Sequence, residues 1–156
     1  MRWNEPIPPD QGLLIEIGSA SLWVRVGANE VWVHGVSGSD PLAGSVAFTP
    51  RDEPPGDTQR FVHAGEPVVI GVRCADRPVV VRPQMPLTLL PGSQTPIYVT
   101  TPVWLTLARA TAEPFYELPV FHPNSTWFGA PPQAGELAYA SRSRARSRLE
   151  LVGPRP

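Results

Sequence analysis

Between residues 13 and 36 the chain alternates in character at every second position. In LLIEIG one parity carries Leu13, Ile15 and Ile17. In SLWVRV it carries Leu22, Val24 and Val26, with Trp23 and Arg25 on the opposite parity. In EVWVHGV it carries Val31 and Val33, opposite Trp32 and His34. A period of two belongs to a pleated strand, whose successive side chains point to opposite faces. Ser19-Ala20 and Gly27-Ala28-Asn29 separate the runs. Links this short permit little but reversal, so the segment is predicted to be a three-stranded antiparallel meander.

Further strand runs follow: SVAFT, RFVHA, VVIGVRC, PVVVR, LTLL, IYVTTPVWLTLA, FYELPVF, ELAYASRS and SRLELV. Each carries β-branched, aromatic or leucine residues and is bounded by proline or glycine. Residues 35–45 and 50–58 are dense in turn formers and read as loops. The 21 prolines leave few windows long enough for a helix, since an interior proline costs about 3 kcal/mol there. One such window is Leu105 to Ala112.

About a dozen short strands at regular spacing predict an all-β domain. The expected architecture is an antiparallel β-sandwich with Greek-key or jelly-roll connections, with an irregular β-barrel as the alternative. One domain over residues 1–156 is expected, with 1–11 and 153–156 extended or frayed.

Composition narrows the function classes. The formal net charge of −1 calls for neither nucleic acid nor a membrane surface. All 13 basic residues are arginine, so a P-loop lysine, a Schiff-base lysine and a lysine general base are excluded. Cys74 is the single cysteine, so no internal disulfide can form. No apolar run approaches the ~20 residues of a membrane-spanning helix. The first residues, MRWNEPIPPDQG, carry no apolar signal core. A cytoplasmic location is expected.

Candidate chemistry is sparse. His34, His63 and His122 are the candidate metal ligands, because separated histidines can converge in a double-stranded β-barrel. None stands in an H-x-H or H-E-x-x-H spacing, and structural roles are expected for all three. No metal or other cofactor is expected. Cys74 ends an apolar strand and reads as a small buried hydrophobe. GVSGS, Gly35 to Ser39, resembles a nucleophile elbow but lacks its second glycine and the following helix. Asp52, Glu53 and Asp57 sit in a proline-rich loop, where acids are usually solvated. Asn124-Ser125-Thr126 forms a glycosylation sequon, which marks a surface loop. No catalytic residue is assigned.

Two features suggest a surface for a partner. Arg142, Arg144, Arg146 and Arg148 share one parity. On a strand they would project from one face every ~6.7 Å, close to the phosphate repeat of an extended single strand. The competing reading, and the one adopted, is a solvated sheet face that discourages edge pairing. Trp127 and Phe128 precede Gly129 and a proline pair. In a loop they could form a binding platform, or fold inward and plug one end of the sandwich; the plug is the expectation.

IYVTTPVWLTLA and TWFGAPPQAGELAYASRSRAR also resemble a prokaryotic family catalogued as domain of unknown function 432. The features that carry the resemblance are Tyr98-Val99, Pro102-Val103, Phe128-Gly129, Pro131, Gly135 and Tyr139. It implies no activity, cofactor or catalytic residue.

The functional expectation is a non-catalytic binding or assembly module. Its surface would comprise Trp127, Phe128 and the arginine row, and its partner a protein or a second copy. The alternatives are an anionic-ligand or single-stranded nucleic-acid binder along Arg142 to Arg148, and a metal-dependent double-stranded β-barrel enzyme.

Overall fold

The structure is a computed structural model that describes residues 3–39, 45–81, 91–92, 94, 101–110, 112–130 and 134–140. All its regular elements are strands. The chain forms two compact units, residues 1–75 with 102–122, and residues 76–101 with 123–156.

The first unit is an antiparallel sandwich. Strands β1 (Gly12–Ile17), β2 (Ala20–Val26) and β3 (Glu30–Val36) form the meander, with β4 (Val46–Pro50) and β5 (Gln59–Val62) at its two edges. The register is fixed by alternation. Ile15 lies opposite Leu22 and Phe48, and Val31 lies between Val26 and Phe61. A slip of one residue would turn this whole apolar set to the other face.

The second sheet, in the order β6-β8-β9, consists of β6 (Val68–Cys74), β8 (Val103–Arg109) and β9 (Pro114–Pro119). Ile15, Leu22, Val24 and Val33 from the first sheet share a core with Ile70, Leu105, Leu107 and Leu118 from the second. Burial of each such side chain stabilises by roughly 1.5–3 kcal/mol. Phe61, Phe115 and Tyr116 pack against this core, with Phe61 5.3 Å from Phe115 and 5.9 Å from Tyr116 between ring centres.

The amino-terminal arm runs extended across the sandwich and docks on both sheets. The N–H groups of Asn4 and Ile7 donate to the carbonyls of Ile70 and Val68 at 2.9 and 2.8 Å. That of Asp10 donates to Val26 at 2.7 Å. Ile7 is buried in the core, and Trp3 meets Phe48 edge-on at 5.2 Å. The arm thereby covers the free edge of β6.

The second unit holds a three-stranded sheet in the order β10-β11-β7, from β7 (Val79–Val80), β10 (Asn124–Ala130) and β11 (Ala134–Ala140). β10 and β11 form an antiparallel hairpin, and β7 lies parallel to β11.

The sandwich reading of the sequence is therefore correct, and the barrel alternative is not. Among the described strands β4 and β5 stay at opposite edges of the larger sheet, so it does not close on itself. Among the described residues, the window from Leu105 to Ala112 is not helical. Its first part is the central strand of the β6-β8-β9 sheet, buried on both faces at Leu105, Thr106 and Leu107. Pairing on both sides outweighs the helix propensity of Leu and Ala. Cys74 is exposed rather than buried, because β6 runs beyond the core after Ile70.

Candidate functional site

The Trp127–Phe128 segment is strand, not loop. In isolation Asn124, Ser125 and Gly129 favour a turn. Pairing with β11 over the full length of β10 overrides them, setting Trp127 opposite Leu137 and Phe128 opposite Glu136. The sequon at Asn124 lies on the same strand. The two aromatic side chains occupy opposite faces of the hairpin. Neither is the plug expected from the sequence: Trp127 is 39% exposed, Phe128 61% and Leu137 42%.

Two glycines shape the hairpin. Gly129 has a φ of 98°, a conformation costly for any other residue. The Trp127 indole leans diagonally across to β11 and rests on Gly135, filling the place a Cβ would take. This aromatic-on-glycine packing holds the ring over β11.

At the base of the hairpin Tyr139 Oη donates to Asp76 Oδ1 at 2.8 Å, and the Arg77 guanidinium lies 5.5 Å from the ring centre. Desolvation first, then the Asp76 hydrogen bond and charge, push the Tyr139 phenol above its ordinary value, against an opposing pull from Arg77.

The hydrogen-bond phase of β10 follows from its neighbours. Tyr139 N–H donates to the Pro78 carbonyl at 2.8 Å, on the β7 side of β11. Tyr139 and Ser125 therefore form a non-hydrogen-bonded pair, as do Leu137 with Trp127 and Gly135 with Gly129. The N–H and C=O groups of Ser125, Trp127 and Gly129 consequently point outward, along an edge that no other described strand pairs with. The other described edges carry a protecting device. β4 has Pro50, β5 has Arg60, β6 lies under the arm, β9 has Pro114, Glu117 and Pro119, and β7 has only two residues. β10, NSTWFGA, has neither charge nor proline.

The three histidines do not converge. His34 lies on the outer face of the five-stranded sheet, where Nδ1 donates to the Asp57 carbonyl at 2.7 Å. His63 is buried just past β5, its N–H bonded to the Asn29 carbonyl at 2.8 Å. His122 is exposed beyond β9. Among the described residues no three His, Cys, Asp or Glu side chains gather as metal ligands. Arg142, Arg144, Arg146 and Arg148 lie outside the described residues.

A second cluster escaped the sequence reading. Residues 51–58 join β4 to β5 and so must cross the entire outer face of the larger sheet. Four interstrand steps of ~4.8 Å lie well within the reach of eight extended residues. The crossing segment covers Trp23, which is only 2% exposed. Beside it an open groove of about 250 Å³ is lined by Trp23, Arg25, Trp32, Asp52, Pro54, Thr58 and Arg60. Arg25, Trp32 and Arg60 stand in one cross-strand row. Two tryptophans at outward parity, next to arginines, are the signal that pointed here.

One protein-family model, described as "Protein of unknown function (DUF432)", matches residues 3–155. No curated protein and no solved structure matches the chain.

Proposed function

Because the chain belongs to the DUF432 family, whose description assigns no activity, we propose from its geometry that it is a non-catalytic assembly module that pairs edge to edge with a second copy through β10. The observation that carries this reading is the β10 edge itself: long, uncharged, free of proline, with the backbone groups of Ser125, Trp127 and Gly129 turned outward.

The strand also has the symmetry such pairing needs. Trp127 is its central residue, so a two-fold axis there sets Trp127 against its copy and Ser125 against the partner's Gly129. Every outward N–H then meets an outward C=O. The indole, resting on Gly135, leaves the edge clear for the approach. On the other face each exposed Phe128 lies beside the partner's Thr126 and loses water contact.

The exposed thiol of Cys74 suits a reducing compartment, which supports a cytoplasmic location. Light scattering on the purified chain tests the assembly. The wild type is expected at twice 17.0 kDa. Ser125→Pro, which removes an outward N–H and leaves the β10–β11 bonds in place, is expected at the single-chain mass. A wild type that stays at the single-chain mass at all concentrations overturns the reading.

A further inference from the structure

The groove over the five-stranded sheet joins aromatic and cationic side chains, and the geometry points to a nucleotide as its ligand, with the flat ring against Trp32 and the phosphate to one side of it, at the flanking Arg60.

Parity and register come first. Arg25 on β2, Trp32 on β3 and Arg60 on β5 are direct cross-strand neighbours on the outward face. The tryptophan therefore has an arginine on each neighbouring strand, its backbone one strand spacing of ~4.8 Å away. The alternation of this sheet explains why they are outside the core, but not why two cations flank an indole.

The charges are the second point. Among the described residues neither Arg25 nor Arg60 makes an ion pair or a side-chain hydrogen bond. Elsewhere Arg73, Arg77 and Arg109 each face a carboxylate. The groove has one acid, Asp52, whose Oδ1 accepts the Gly12 N–H at 3.2 Å. Its local balance is thus two cations to one anion. A phosphate would supply the counter-charge, and guanidinium forks match its oxygens. Asp52 Oδ2 remains an acceptor for a hydroxyl or a ring N–H.

Third, the groove is held in shape. The Trp32 six-membered ring rests on Gly27, where an added Cβ would lie 2.7 Å from Cζ3. Trp23 is fixed beneath residues 51–58 by its hydrogen bond to the Arg51 carbonyl at 2.7 Å. Pro54 forms part of the wall. A fixed indole next to free guanidiniums is the arrangement that binds bases by stacking and phosphates by charge. The groove is open, with a volume of about 250 Å³, so a ligand would lie on it and remain partly in solvent. A free nucleotide and one residue of a single strand share this chemistry.

Titration calorimetry separates the outcomes, using adenosine monophosphate, adenosine, inorganic phosphate and a short oligothymidylate at low and moderate salt. Adenosine monophosphate or the oligothymidylate is expected to bind, at least roughly tenfold more tightly than adenosine or phosphate, and to weaken as salt rises. Binding of the oligomer alone identifies the source as a strand; binding of the monophosphate identifies it as a free nucleotide. Arg60→Gln, at an exposed position, is expected to weaken binding about tenfold while the circular dichroism spectrum is unchanged. Trp32→Phe is expected to retain more affinity than Trp32→Leu. Absence of binding by both nucleotide probes overturns the proposal, as does phosphate binding as tightly as the monophosphate or Arg60→Gln binding like the wild type.

Discussion

Trp23 Nε1 donates to the main-chain carbonyl of Arg51 at 2.7 Å, across 28 residues of sequence. This bond ties the segment that crosses the sheet to the strand beneath it. Trp23→Phe leaves the Arg51 carbonyl without its donor and removes part of the packed surface. The expected cost is about 1–3 kcal/mol, read as a lower denaturant midpoint. Proteolysis within residues 51–58 is expected to quicken more than cleavage elsewhere.

The core shared by the two sheets yields a larger effect. Leu107 is wholly buried on β8 and belongs to the common core. Leu107→Ala removes its contacts and leaves a void, which costs about 2–5 kcal/mol in cores of this kind. Chemical denaturation of the variant checks the figure.

Gly135 is required by its neighbour, because the Trp127 indole occupies the place of its missing side chain. Gly135→Val is expected to push the ring aside and weaken the hairpin by about 1–3 kcal/mol, the range of overpacking. Faster amide exchange at β10 and β11, with the sandwich amides unchanged, is the corresponding readout.

Two tyrosines set an alkaline limit. Desolvation and Asp76 raise the Tyr139 phenol, and burial raises Tyr116, above the ordinary 10.0. A folded-state value above the unfolded one means that the stabilisation is complete below the ordinary value and is lost as pH rises through the folded one. The unfolding temperature is therefore expected to fall above pH 10 more steeply for the wild type than for Tyr139→Phe. Equal slopes for the two proteins would contradict the role given to the Tyr139–Asp76 bond.

The meander was legible because each of the three runs between Leu13 and Val36 alternates and the links between them leave no room for other connections. β8 was harder to read: Leu105 to Ala108 suits either helix or buried strand, and only its two neighbours decide. The hairpin was hidden by turn-forming residues whose strand state depends on pairing with β11. Trp23 was placed at the correct parity, but its burial depends on the route from β4 to β5, which local pattern does not encode. The Arg25–Trp32–Arg60 row likewise needs the register of three strands, one of them 28 residues beyond Trp32 in the chain at Arg60.

Amide exchange at Ser125, Trp127 and Gly129 addresses the assembly most directly, because these N–H groups have no partner strand among the described residues and gain one in the proposed pairing with a second copy. The expected result is slow exchange at high protein concentration that becomes fast on dilution, while Thr126 and Phe128, bonded to β11, change little. Fast exchange at those three positions at every concentration would contradict edge pairing through β10.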